Sequence, residues 1–294
     1  MRLRHIEVIQ AILHNATLGA SALALGLDEA ALNQALQEAE QQLGFLLFSR
    51  VRGKLLPTRE TLELAGEFQR LQGNLERITR IAHALRQHQD PPLRVVCSAT
   101  LAHQLLPQSL ASLRRRFRET PCTLASLGTA DIVRSLLLHE SDLGLSLHAP
   151  QLPSIDCQPL YQGKLQLLAP HGWLSARQKY LTVQELAGQA MVGLEGEDPL
   201  SPALDRKLES LSPPPVMQTR VQTYQMMRSM VEAGEGLAIV DPFTAAGAAG
   251  LDVCPLSPAV PVTLYALTLA GRETCAAGKT LLELISEQAA KMLG

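Results

Sequence analysis

Residues 28–58 read DEAALNQALQEAEQQLGFLLFSRVRGKLLPT, and the two halves of this stretch behave differently. In the first half Ala31, Leu32, Ala35, Leu36, Ala39 and Leu43 fall on one helical face. Asp28 stands where a side chain can accept a first-turn N–H, and Gly44 stands where a helix stops. The second half, FLLFSRVRGKLLP, alternates loosely about Gly53, as a two-stranded ribbon does, and carries Arg50, Arg52 and Lys54. Upstream, Leu3, Ile6, Ile9, Ile12 and Leu13 recur at helical spacing, with Asn15 and Gly19 as the expected stop. Thr17 is placed to cap a short helix, LGASALALG, and Gly26 to make the turn into the third. Three helices and a basic hairpin predict a winged helix-turn-helix over residues 1–58.

Downstream, Thr58 or Thr61 caps a long helix in which Leu64, Leu71, Ile78 and Leu85 are seven apart. Phe68, Leu75 and Ala82 fill the alternate positions, so residues 59–89 carry the period of a dimeric helical seam. Asp90 to Pro92 breaks it. From there short apolar runs (LRVVCSA, CTLASL, DLGLSL) alternate with helical segments, and the pattern restarts near residue 162. Such alternation predicts parallel sheets. The final strand VTLYALTL and helix complete the first unit, giving two lobes about a cleft. Lobe one is expected to combine 92–161 with 266–294, and lobe two to span 162–265, within a domain of 90–294.

A chain of 294 residues with 46% hydrophobic content can bury more than one core, since roughly 100–200 residues is usual for a domain. The net charge of −2 excludes a general polycationic coat, so any DNA contact has to be local. The start, MRLRHIEVIQ, is charged and amphipathic rather than signal-like, and no apolar run reaches the roughly 20 residues of a membrane helix. The five cysteines are widely spaced with no CxxC pair, which fits reduced thiols and a cytoplasmic location. No GxSxG, HExxH or GxxxxGK[ST] pattern occurs. His83 and His88 are five apart, a poor spacing for a shared ligand face. These features point away from an enzyme and give no catalytic residue, cofactor or metal site.

LRHIEVIQAILHNATLGASA, QQLGFLLFSRVRGKLLPT and the long helix together resemble the LysR-type transcriptional regulators. LLPQSLASLRRRF, SDLGLSL and MVEAGEGLAIVDPFTA extend the resemblance over essentially the whole chain, with the branch of LysR itself, the regulator of diaminopimelate decarboxylase, looking closest. The resemblance implies a DNA-binding head, a dimerising linker helix and a two-lobed effector domain similar to periplasmic binding proteins. It also implies a homodimer or homotetramer that binds promoter DNA and a small-molecule effector, with no membrane partner.

One departure stands out. Where the family's third helix usually opens with Ser-Gln-Pro and then a Ser and an Arg, this chain has Asp28, Glu29, Ala30, Asn33 and Gln34. Adding Glu38 and Glu40, the helix carries four carboxylates and no cation. Residues 1–88 hold ten Lys/Arg against nine Asp/Glu. Two readings stay open here. Either Arg50, Arg52 and Lys54 grip the backbone while Asn33 and Gln34 read adenine edges, weakly and with strong salt dependence, or the head is a scaffold that has lost DNA. For the effector, helix N-termini after strands suit a carboxylate, and the candidates are Ser98, Thr100, Gly128 and Thr129 in one lobe and Ser201 and Thr223 in the other. Glu195, Glu197 and Asp198 sit in a loop that would welcome a ligand ammonium if it faces the cleft.

Overall fold

The computed structural model describes residues 1–86, 92–175, 177–195, 200 and 202–294. Ser201, Glu197, Asp198 and the break at Asp90 lie outside these residues. The chain divides into two compact units, Met1–Thr79 and Arg80–Gly294.

The first unit is built from α1 (Leu3–Asn15), α2 (Leu18–Leu25), α3 (Glu29–Leu43), the hairpin β1 (Phe48–Val51) and β2 (Lys54–Pro57), and the start of α4 (Arg59–Arg86). Local chemistry sets the ends. Thr17 accepts the Ala20 N–H and Asp28 accepts the Ala31 N–H at 2.6 Å, while Gly26 and Gly44 take the left-handed conformation that closes α2 and α3. The first helix closes on Ala16 rather than at Gly19, which lies inside α2. Arg52 and Gly53 both have positive φ, the two-residue turn whose twist matches a tight hairpin. Ile9, Ile12, Leu32, Leu36, Leu47 and Leu55 join the helices and the hairpin in one core. Thr58 caps α4, and Thr61 Oγ1 donates to the Leu47 carbonyl at 2.6 Å, tying that helix to the base of the hairpin.

In the second unit the chain forms β3 (Leu93–Cys97), α5 (Ala99–His103), α6 (Leu105–Leu113), β4 (Cys122–Ser126), α7 (Thr129–Leu137), β5 (Leu143–Ser146) and β6 (Ile155–Lys164). It continues through β7 (Gln166–Pro170), β8 (Leu181–Thr182), β9 (Ala190–Leu194), α8 (Pro202–Glu209), β10 (Val216–Val221) and α9 (Tyr224–Glu232). β11 (Ala238–Val240), α10 (Pro242–Ala245), β12 (Leu251–Ser257), β13 (Pro261–Leu269) and α11 (Ala276–Leu293) complete it.

Among the described residues, one sheet is ordered β4-β3-β5-β13-β6 and a second β11-β7-β12-β8. The pair β10-β9 adjoins the second through a bridge between Met191 and Leu237. The expected parallel pairing holds for β3 with β4 and β5, and for β9 with β10. The sheets are nevertheless mixed, because β13 runs antiparallel to β5 and β6, and β7 antiparallel to β11 and β12. The chain leaves and re-enters the first sheet by neighbouring strands, so the crossing pair must run in opposite directions. Their pairing continues to Lys164 and from Pro261, so the expected lobe boundaries at 161 and 266 fall inside paired strands. The N–H of Leu165 donates to the Val260 carbonyl at 2.9 Å, which holds the two crossings side by side. Gly163 lies where a Cβ would come within 2.7 Å of Pro242, so the absence of a side chain lets α10 seat on the end of β6.

Candidate nucleic-acid interface and ligand cleft

The acidic third helix is explained within the first unit. Asp28 is the cap of α3. Glu29 extends its carboxylate into space that a side chain at Gly19 would take, since an added Cβ there would lie 2.6 Å from Oε1. Glu38 Oε2 is 3.5 Å from Nε2 of the buried His5, and its Oε1 accepts from Gln34 at 3.0 Å. His5 Nδ1 accepts the Arg2 N–H, which leaves the ring proton on Nε2, toward Glu38. Glu40 Oε1 accepts the N–H of Leu47 at 2.8 Å and of Phe48 at 3.4 Å, anchoring the start of the hairpin.

The cations have other surroundings. Arg50 Nη2 donates to Asn33 Oδ1 at 2.9 Å, an amide and not a carboxylate. Arg52 and Lys54 are exposed at the tip, and among the described residues neither is in an ion pair. Gln34 is exposed on α3, and Asn33 is half-buried beside the hairpin. Asp28, Glu38 and Glu40 thus have partners within the unit, and the cationic tip lies next to an amide-bearing helix.

In the second unit, β3 and β4 are parallel neighbours, so their carboxyl ends lie together, and the Leu127 N–H donates to the Cys97 carbonyl there. This brings Ser98 and Thr100 beside Gly128 and Thr129, outside strand ends where such sheets bind ligands. Ser98 Oγ is out of solvent and has no hydrogen-bond partner among the described residues. Thr129 Oγ1 is 3.3 Å from Ser146 Oγ. The thiol of Cys97, pushed up to about 11 by burial, stays protonated and is part of the apolar core rather than a nucleophile. Thr223 caps α9 by accepting the Met226 N–H at 3.2 Å, and α5 packs against both α9 and α10. Glu195 is exposed.

Two residues that sequence reasoning missed join these elements. Asp241, fully buried, caps α10 by accepting the N–H groups of Phe243 and Thr244 at 2.9 and 3.0 Å. Its other oxygen accepts the hydroxyls of Thr244 at 2.6 Å and Thr100 at 3.0 Å. Burial pushes this carboxyl above its usual range, against the pull of those four hydrogen bonds. Arg228 of α9 donates to the carbonyls of Thr244, Ala246 and Gly247 at the other side of α10. A brace thus runs α9–α10–α5. Its sequence signal was the Asp-Pro pair, a cap followed by proline at the first helical position.

A cavity of about 390 Å³ lies within the second-sheet lobe, among α8, β9, β10 and α9. Met191, Met217 and Met227 wall it, with Arg220, Asp205 and Tyr224 among its polar lining. Among the described residues, none of the expected effector residues Ser98, Thr100, Gly128, Thr129 and Thr223 lines it. Met191 and Met217 gave no local signal, because their convergence depends on the β9–β10 pairing.

No helix among the described residues is long and apolar enough to cross a membrane, and no cluster there could hold a metal ion. Residues 3–61 match the model for bacterial regulatory helix-turn-helix proteins of the lysR family, and residues 86–290 match the LysR substrate binding domain. The chain is 27% identical to the HTH-type transcriptional regulator DgcR of a Pseudoalteromonas species, over 89% of this chain and 90% of that one. It is 29% identical to the transcriptional activator protein LysR of Escherichia coli, over 90% and 86%. Among solved structures it shares a fold with full-length CbnR complexed with its target DNA, at a TM-score of 0.69 and 16% identity, covering 98% of this chain and 100% of that one.

Proposed function

The chain belongs to the LysR family of bacterial transcriptional regulators, and from that premise we propose how this member grips DNA and what its second unit senses. Its relatives are regulators and not enzymes. Arg52 and Lys54 face phosphates from the hairpin tip, while Asn33, Gln34 and Arg50 meet base edges from α3 and its flank. The observation that carries this reading is that Asp28, Glu38 and Glu40 are engaged within the unit, while among the described residues the wing cations form no ion pair with a carboxylate. The acidity of α3 was the main support for a head that has lost DNA binding, and that alternative is not favoured.

The effector is a small carboxylate of amino-acid type. The N-terminal N–H groups of α7 and α9, at Gly128, Thr129 and Thr223, suit its carboxylate. Thr100 Oγ1 donates a hydrogen bond to Asp241, which leaves that oxygen to accept from an ammonium, and Ser98 Oγ lies nearby without a partner among the described residues. Ser201 belongs to the same proposal by sequence. Such a regulator works in the cytoplasm, next to its promoter.

The experiment is affinity capture of fragmented genomic DNA by the full-length chain, sequenced with and without each common amino acid and diaminopimelate. A few discrete sites are expected, with recovery changed several-fold by one ligand. Even recovery across the genome overturns the DNA reading. Discrete sites indifferent to every ligand overturn the effector class.

Leu71, Ile78 and Leu85 are exposed on α4 at seven-residue spacing, which fits a second copy as their cover. The edge strands β4 and β10 add unpaired backbone for further contacts between copies. Ile78→Glu places a charge in that seam. Light scattering is expected to show half the native mass, and operator affinity to fall at least about ten-fold through lost bivalence. Unchanged mass and affinity reject the seam.

A further inference from the structure

We infer that Asn33 and Arg50 act as one recognition unit that presents hydrogen-bond donors to the major groove and selects guanine, while the neighbouring Gln34 keeps the pattern for adenine. The inference rests on the DNA-binding reading above and assigns its sequence preference.

The argument is a count of donors and acceptors. Arg50 Nη2 is 2.9 Å from the Asn33 side chain, across a gap of 17 positions in sequence. A guanidinium has N–H donors and no acceptor, so the amide atom facing it must be the oxygen, whichever way the amide is drawn. Asn33 therefore spends Oδ1 on the wing and turns both N–H groups of Nδ2 elsewhere. An asparagine that reads adenine must accept from the base amino group through that same oxygen while donating to N7. Oδ1 keeps a second lone pair, but an amino group brought to it would meet the remaining N–H groups of Arg50 alongside, with like partial charges opposed. Guanine puts O6 where adenine puts its amino group, and keeps N7 beside it. Two acceptors then face an amide and a guanidinium that offer donors only.

Gln34 is arranged the other way. Its Nε2 donates one N–H to Glu38 Oε1 at 3.0 Å, and Glu38 is held in turn beside His5. One N–H and the whole of Oε1 remain, which is the donor–acceptor pair that adenine matches. Two adjacent amides on α3 are thus biased toward different bases by different partners: a cation for Asn33 and an anion for Gln34. On this inference Gln34, and not Asn33, keeps the adenine-reading pattern.

The test is selection from a random duplex pool by the full-length chain and by Arg50→Ala, Arg50→Lys and Asn33→Ala, at one salt concentration. Arg50 is exposed and Asn33 half-exposed, so the variants retain the fold. The native chain is expected to enrich a motif with a guanine in each half-site. Arg50→Ala frees the Asn33 oxygen, so that one position should change from guanine to adenine, about ten-fold in relative enrichment, with the other positions unmoved. Arg50→Lys keeps a donor there and should keep guanine. Asn33→Ala should flatten the position without turning it to adenine. A native motif that Arg50→Ala leaves unchanged or lost altogether overturns this inference alone and makes Arg50 a backbone contact. A native chain that enriches nothing overturns the DNA-binding reading and this inference together.

Discussion

Replacing Arg50, Arg52 and Lys54 together by alanine is expected to lower affinity for a captured operator by about a hundred-fold or more at physiological salt. Two of these cations are assigned to phosphates and one to a base edge. Each phosphate contact adds roughly 0.9 to the slope of log affinity against log salt, so the slope should become shallower by about 2. The lost base contact contributes a further 1–3 kcal/mol or so, where about 1.4 kcal/mol is ten-fold. All three side chains are exposed, so circular dichroism and melting should not change. Fluorescence anisotropy over a salt series reads both quantities. If affinity and slope match the native chain, the grip lies elsewhere.

Asp241→Leu should be the most destabilising single change outside the apolar core. The carboxylate is fully buried and accepts two backbone N–H groups and two threonine hydroxyls. Leucine leaves both N–H groups and at least one hydroxyl unpaired, since Thr100 and Thr244 Oγ1, 3.3 Å apart, can bond only to each other, a cost of about 3–5 kcal/mol. In a unit of this size that corresponds to a fall of roughly 10 °C in Tm. The loss falls on Arg80–Gly294, so operator binding by the head should survive while any ligand response is lost, because Thr100 and α10 are no longer held together. Asp241→Asn keeps one acceptor for the two N–H groups and should cost less than half as much. A Tm within about 2 °C of native for Asp241→Leu disproves the role of the brace.

Much of the head was legible from local chemistry. Thr17, Asp28, Gly26 and Gly44 cap and close helices through atoms within a few residues of themselves, so their roles are written in the order of residues. The strands β6 and β12 were not legible. IDCQPLYQGK and LDVCPLS carry internal prolines and mixed polarity, and they are strands because partners in β13 and β7 satisfy their backbones. The same distinction separates the candidate sites. Ser98, Thr100, Gly128 and Thr129 could be named because strand ends and helix starts leave a local signature, whereas of the brace only the Asp-Pro cap was local, and its reach to Thr100, the Arg228 contacts and the methionine-walled cavity depend on packing.

The order of residues by itself determined that this chain has a winged helix-turn-helix head, a long helix with a seven-residue apolar repeat and an alternating α/β domain, since capping, turn formation and apolar periodicity act over one to seven residues. Only the tertiary structure decided what the carboxylates of α3 are for. Glu38 meets His5 from 33 positions away, and Glu40 holds the first residues of the hairpin. Whether a charge repels a phosphate or stabilises its own fold depends on which groups lie within about 3 Å of it, and packing brings those groups there from distant parts of the chain.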